Sequence, residues 1–290
     1  MPMKILPRAA VICALLSTIV AAEPADIPAA IDLNTMVQDA RCKQVLVTCL
    51  INGKPMRMML DTGATHTVLH NESADSLKHA QWLDTSRMEF KGNSSQRPRI
   101  LLASVQAGQL AEPQHPILVL SLESVRSMMA ERIDGILGMD ILGRLPFTFA
   151  PASGSFHWGA PSGATLTPLY GTRDDAGRML VQAQVKGRPV EVLLDTGSSL
   201  TRVYADEWKP GKAGKKQAKV SDVDSAGQKQ VVLGKAADME LAPGVLIRNV
   251  SPALCSRDDR SMLGMDVLKD VVLVHLPTVG TPYGAFFIAK

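Results

Sequence analysis

The chain has 290 residues, 46% of them apolar and 20% charged, with a net charge of +3 at pH 7. That balance supports a sizeable core and excludes a globally disordered chain. The length fits one large or two medium domains, and nothing in so weak a positive charge suggests a nucleic-acid partner, so none is expected.

The first residues read as an export leader. Lys4 and Arg8 stand before the apolar stretch "AAVICALLSTIV", Ala9 to Val20, and "VAAEP" follows. A positive start, an apolar middle and small residues suited to cleavage after Ala22 define such a signal. The stretch is shorter than the roughly 20 residues that cross a bilayer. An uncleaved anchor is the rival reading. Cys13 lacks a lipoprotein context, since Ile12 precedes it and apolar residues continue after it. The mature chain is then expected in a bacterial periplasm, with no membrane span after leader removal. It keeps Cys42, Cys49 and Cys255, an odd number that allows at most one internal disulfide. Cys42 and Cys49 sit on an apparent strand at a spacing that faces them to opposite sides, so they are not expected to pair. Without a CxxC or a Cys/His spacing, no metal and no cofactor is expected.

Residues 23–40 read as a short N-terminal arm, in which Ile31, Leu33, Met36 and Val37 fit a helical turn against the body. Beyond it the chain repeats itself, which points to two similar halves. "VLVTCLINGKPMRMMLDTGATHTVLH" from Val45 aligns without a gap with "MLVQAQVKGRPVEVLLDTGSSLTRVY" from Met179. A second pair follows: "GILGMDIL" at 135–142 and "SMLGMDVL" at 261–268. The first half runs over 41–160 and the second over 178–290. Residues 161–177, rich in turn formers and charge, read as the linker.

The elements expected within each half are strands. "QVLVTCLI" and "MLVQAQV" have strand composition, "NGKP" and "KGRP" are turns, and "MRMML" and "VEVLL" are the next strands. "HPILVLSL" and "GVLIRNV" are later ones. Short helical pieces fit at "NESADSLKHA" and after each "LGMD". Short strands joined by tight turns predict an all-β chain of two small barrel-like lobes, not a βαβ sheet.

Both halves end a buried strand in Asp-Thr-Gly, at Asp61-Thr62-Gly63 and Asp195-Thr196-Gly197, and both carry a distal Leu-Gly-Met-Asp. This co-occurrence resembles the aspartic proteases, and in particular their retropepsin-like branch. "LDTGAT" with "ILGMDIL" is similar to retroviral and bacterial retropepsin-like sequences, whereas "LLDTGSS" is closer to pepsin. The resemblance implies a pepsin-like bilobal fold with the active site between the lobes. Asp61 and Asp195 would be the catalytic pair. Thr62, Gly63, Thr196, Gly197 and Ser198 would support the loops. Ile136-Leu137-Gly138 and Met262-Leu263-Gly264 would pack behind them. The implied activity is peptide-bond hydrolysis by a monomer acting on peptide or protein substrates. A non-catalytic peptide-binding module with the same cleft is the alternative. A subunit that works only after oligomerisation or loss of the arm is a third reading.

Two carboxylates suit that chemistry. At about 3 Å and an effective dielectric near 20, like charges repel by roughly 5 kcal/mol, about 4 pKa units as an upper bound. The pair therefore holds one proton over a wide pH range. The ionised member takes a proton from water, and the protonated one polarises the carbonyl. Ser198 follows Gly197 where Ala64 follows Gly63. A Ser198 hydroxyl donating to Asp195 would make Asp195 the ionised member and Asp61 the protonated one.

Each half should also carry a flap, at 88–109 and at 215–235. Neither segment has the Tyr usual in pepsin-like flaps. Their basic residues Lys91, Arg97, Arg99, Lys215, Lys216 and Lys219 read as solvating charges on exposed hairpins. His66 and His70 have the spacing of a metal pair, but the second half has no counterpart, so ligation is not expected. Asp140 and Asp266 read as residues at helix starts, stabilised by backbone amides and the helix dipole. Ser198 and Ser199 have no His placed by a motif to activate them.

Overall fold

The computed structural model describes residues 37–78, 80–84, 98–208, 219–224, 227–278 and 281–289. The leader, most of the arm and the tips of both flap segments lie outside the described residues. The regular structure described is mostly strand, with four short α-helices of four to six residues among the strands. None of these helices is long and apolar enough to cross a membrane.

The two halves build their first hairpins alike. Strands Val45–Ile51 and Lys54–Leu60 pair antiparallel, with Leu46 opposite Met59 and Ile51 opposite Lys54. Asn52 and Gly53 turn between them at φ of 48° and 73°. Two successive positive φ values define the tight hairpin turn that matches strand twist. The second half repeats this with Met179–Val185 and Arg188–Leu194, turned at Lys186 and Gly187 with φ of 51° and 72°. Val47, Cys49 and Ile51 alternate into the core with Met56, Met58 and Leu60. In the second half Val181, Ala183 and Val185 do so with Val190, Val192 and Leu194. Burial follows the period of two in Met179–Val185, whereas in Val45–Ile51 the opposite face is largely covered too, with Leu46 and Leu50 buried.

Each hairpin then receives a parallel strand from the distal motif. Gly135–Leu137 lies beside Met58–Leu60 in register, and Met262–Leu263 lies beside Leu193–Leu194. On its other side each of these short strands pairs antiparallel with the strand that follows an Asp-Thr-Gly loop, Val68–His70 or Arg202–Tyr204. An eight-stranded sheet forms from the first half with Val37–Gln38 of the arm, and a ten-stranded sheet from the second half with Gly171–Arg173 before it.

A third sheet takes strands from both halves. Its five strands run Ser155–Trp158, Phe147–Ala150, Val272–Thr278, Thr281–Ala289 and Leu166–Pro168. Phe147 is its central packing residue. Its ring lies 5.4 Å from Phe156, 4.9 Å from His275 and 6.2 Å from Phe286.

Several local expectations change. Val37–Gln38 is a strand paired with Leu46 and Val45, not part of a helical turn, and Val37 is exposed. Cys42 lies in the turn before the first long strand, where its Sγ meets Asp39 Oδ1 at 3.1 Å. Cys42, Cys49 and Cys255 are all buried, and none of the three forms a disulfide. The segment 161–177 carries two strands, Leu166–Pro168 and Gly171–Arg173. The second flap segment forms a hairpin, Lys219–Asp224 against Gly227–Leu233. In the first, Arg99–Ala107 pairs with Gln81–Leu83 as well as with Leu110–Leu120. Arg99 bonds Asp75 at 3.0 Å and covers the Trp82 ring at 4.4 Å.

Truncating Phe147 removes the packing that joins the halves. Phe147→Ala is expected to lower unfolding stability by about 3–5 kcal/mol, read from the urea midpoint at unchanged slope. A loss below about 1 kcal/mol would mean that the shared sheet does not depend on this ring.

Candidate active site

The site begins with two strands that end at the same place. Leu60 and Leu194 close the second strand of each hairpin, and the next residue in each case is Asp. The Asp61 N–H donates to the Leu137 carbonyl at 3.1 Å, and that of Asp195 to Leu263 at the same distance. The distal motifs therefore fix where each loop starts. Each loop then folds back on its carboxyl. Asp61 Oδ1 accepts from the N–H of Gly63 at 2.8 Å and of Ala64 at 3.0 Å. Asp195 Oδ1 accepts from Gly197 at 3.0 Å and Ser198 at 3.1 Å.

The two loops are then locked to each other. The Thr62 N–H donates to Thr196 Oγ1 at 3.0 Å, and the Thr196 N–H donates to Thr62 Oγ1 at 3.1 Å. Each hydroxyl passes its own hydrogen across the interface. Thr62 Oγ1 donates to the Leu194 carbonyl at 2.9 Å and Thr196 Oγ1 to that of Leu60 at 3.0 Å. Each hydroxyl thus donates once and accepts once across the contact, and both threonines are buried.

The lock brings each carboxyl over the opposite glycine. A methyl group on Gly197 would stand 2.4 Å from the Asp61 carboxyl carbon, and one on Gly63 would stand 2.6 Å from that of Asp195. Only residues without Cβ allow this approach. The two carboxyl groups themselves share a hydrogen bond. Both Asp residues are half-buried, so a face of the pair stays open. Burial pushes both carboxyls above the usual range. Asp195 stands well above it, because the Asp61 charge and hydrogen bond add to its burial. For Asp61 the N–H bonds, the bond with Asp195 and the Arg178 cation work against the rise.

Behind the loops lies a second layer that the sequence reading did not assign. Thr67 donates from its N–H at 2.8 Å and its hydroxyl at 2.7 Å to the two carboxyl oxygens of Asp140. Thr201 donates in the same way to Asp266 Oδ1, at 2.8 and 2.6 Å. The Gly138 N–H donates to Thr67 Oγ1 and the Gly264 N–H to Thr201 Oγ1. Asp140 and Asp266 thus anchor the far end of each loop, beyond any effect on their own helices. The signal was present in the repeat, where Thr67 aligns with Thr201 and Asp140 with Asp266.

The other sequence-based candidates fall apart from this centre. The Ser198 hydroxyl donates to the Leu200 carbonyl at 2.8 Å. Only its backbone N–H reaches Asp195, as that of Ala64 reaches Asp61, so the side chain gives no reason for Asp195 to be the ionised member. Its hydroxyl is taken up by the local turn. His66 bonds Thr65, while His70 accepts from the Leu122 N–H and faces Glu123. Among the described residues no group of three or more His, Cys, Asp or Glu is placed to hold a metal ion.

The family model described as aspartyl protease matches residues 47–141, the stretch that holds the first Asp-Thr-Gly and the first Leu-Gly-Met-Asp. Among solved structures, the chain is similar to basic 7S globulin from soybean, with a TM-score of 0.52 and 12% identity. The match covers 88% of this chain and 93% of that one. The fold is accordingly all-β, pepsin-like and bilobal. No curated protein matches the chain.

Raised carboxyl pKa values link the site to stability. The native pair holds a proton that the unfolded chain releases near pH 3.9, so its contribution is full below that pH. It is lost as pH rises through the raised values of the pair. Asp195→Asn removes the like-charge term. From pH 4 to pH 7 the variant is expected to lose less stability than the wild type. Equal losses in urea denaturation would show that the pair does not repel.

Proposed function

We propose that the protein is an aspartic endopeptidase in which water held between Asp61 and Asp195 attacks a peptide carbonyl. The observation that carries this reading is the pair itself. Two half-buried carboxyls share a hydrogen bond at the meeting of two loops cross-linked by Thr62 and Thr196. One proton on such a pair supplies a base and an acid in contact with the same water. The ionised carboxylate takes a proton from the water as it attacks. The protonated carboxyl donates to the carbonyl oxygen. The tetrahedral intermediate then collapses as the carboxyl that took the water's proton passes it to the amide nitrogen, the C–N bond breaks and the other carboxylate recovers its proton from the former carbonyl oxygen. Thr62, Gly63, Thr196 and Gly197 hold the geometry, and Ser198 and Ala64 add a backbone donor each. Ile136-Leu137-Gly138 and Met262-Leu263-Gly264 fix the loops from behind.

The rest of the reading follows from this assignment. The substrate is an extended peptide or protein segment laid between the lobes, which we take as 41–160 and 178–290. The hairpin Lys219–Asp224/Gly227–Leu233 and the arms Gln81–Leu83 and Arg99–Ala107 would close over it. The repeat in the sequence supports an internal duplication, and one chain carrying both Asp residues supports a working monomer. The leader composition supports export to a bacterial periplasm.

The test is cleavage of a denatured protein mixture by the mature chain between pH 3 and 8. Asp61→Asn and Asp195→Asn should each lower kcat by about 10²–10⁴-fold, the range for loss of a general acid or base. Equal cleavage by all three proteins would overturn the assignment. Peptide binding without cleavage by any of them would establish the binding-module alternative instead.

A further inference from the structure

The contacts that flank the two carboxyls match in position and differ in charge. The residue before the first strand of each hairpin reaches across to the loop of the other half. Gln44 Nε2 donates to the Gly197 carbonyl at 2.9 Å. Arg178 Nη1 donates to the Gly63 carbonyl at 3.3 Å. Gln44 and Arg178 stand at equivalent places in the repeat, one residue before Val45 and Met179.

Each contacted carbonyl belongs to a peptide unit whose N–H binds a carboxyl. The Gly63 carbonyl shares its peptide with the Ala64 N–H, which donates to Asp61 Oδ1 at 3.0 Å. The Gly197 carbonyl shares its peptide with the Ser198 N–H, which donates to Asp195 Oδ1 at 3.1 Å. A donor on the carbonyl polarises the N–H of the same peptide, and a charged donor does so more strongly than a neutral one. On the Asp61 side that donor is a guanidinium. On the Asp195 side it is an amide.

The guanidinium is also held in place. Asp174 Oδ2 takes Arg178 Nε at 2.8 Å, and Asp174 Oδ1 takes the N–H groups of Ala176 and Arg178 at 3.0 Å each. Arg260 Nη1 reaches the same Asp174 Oδ2 at 2.7 Å. Two cations around one anion leave a net positive cluster beside the Asp61 loop. The Arg178 side chain is only 19% exposed, so solvent screens it little.

We infer that Arg178 is a positioning residue that acts through the Gly63–Ala64 peptide to hold Asp61 as the ionised member of the pair and leave the shared proton on Asp195. The inference rests on the reading of the pair as a shared-proton site. It reverses the order expected from Ser198. The remaining charges near the pair agree with it or are spoken for. Asp140 is bound by Thr67 and His115, and Asp266 by Thr201. Asp259 takes the Arg260 N–H and Arg202. His66 is turned to Thr65. The Arg178 charge favours an ionised Asp61, while the Asp61 charge raises Asp195.

The test replaces Arg178 by the residue that the first half uses. Arg178→Gln should move both limbs of the pH–kcat/KM profile upward by roughly half a pH unit or more. KM should change less than kcat at the original optimum. Arg178→Lys should restore the wild-type limbs in large part. Carboxyl titration by ¹³C NMR in ¹³C-Asp-labelled protein reads the same pair without turnover. There the Asp61 titration should rise in Arg178→Gln. Unmoved limbs and an unmoved Asp61 titration would overturn the inference. If the wild type cleaves nothing but the Asp61 titration still rises, the catalytic reading fails and this inference stands. Should Arg178→Gln not fold, Arg178→Met serves instead, since it keeps the aliphatic stem and removes both the charge and the donor to Gly63. It should also shift the Asp61 titration upward, and no shift would again overturn the inference.

Discussion

Two carboxyl groups of like charge repel when they touch, so a molecule that juxtaposes Asp61 and Asp195 must hold them there against that repulsion. The reciprocal bonds of Thr62 and Thr196 are the contact on which the rest depends. They join two loops whose own strands belong to different sheets. A hydrogen bond contributes only about 1 kcal/mol net, so four of them are comparable to the repulsion, not far above it. The shared proton removes most of the remaining cost by neutralising one partner. The shared sheet around Phe147 adds the burial that keeps the halves together at a distance from the carboxyls.

Rigidity is supplied in layers. The N–H of each Asp is fixed by a carbonyl of a parallel strand, Leu137 or Leu263. The far end of each loop is fixed by a buried carboxylate that takes both polar hydrogens of a threonine. The glycines of the distal motifs make this possible. A Cβ on Gly138 would meet the His66 carbonyl at 2.6 Å, and one on Gly264 would meet that of Leu200 at 2.6 Å. The Leu-Gly-Met-Asp string therefore combines a strand partner, a close-packed glycine, a core methionine and a loop anchor within a few residues.

Much of this was legible because it is local and repeated. Alternating apolar residues gave the hairpins, Asn52-Gly53 and Lys186-Gly187 gave their turns, and the doubled Asp-Thr-Gly gave the two carboxyls. The distal motifs were legible as partners of the loops, although the anchoring role of Asp140 and Asp266 was not. Their targets, Thr67 and Thr201, are distant in sequence, and a threonine just before a strand carries no local sign of what it bonds. The role of Val37 was misread because apolar spacing in a short arm fits a helix or a strand equally well. The Ser198 hydroxyl was misassigned because a hydroxyl next to an Asp can serve the carboxyl or its own turn, and only φ and ψ decide which.

The differences between the halves are where chemistry can enter a two-fold scaffold. A symmetric pair would place its proton equally on either Asp, and a substrate with a distinct carbonyl and amide would meet two interchangeable groups. The loop anchors already break that equality. Asp140 is approached by His115 at 2.9 Å, and bonds from His115 and Thr67 outweigh its burial and hold it below the usual carboxylate range. Burial outweighs the bonds of Thr201 and leaves Asp266 above that range. The anchor of the first half is therefore surrounded by groups that favour a carboxylate. The anchor of the second half lies where burial favours a protonated carboxyl. A difference of this kind at the pair itself, as inferred for Arg178, would give the shared proton a fixed side, and a fixed side would let a two-fold site treat the two ends of a peptide bond differently.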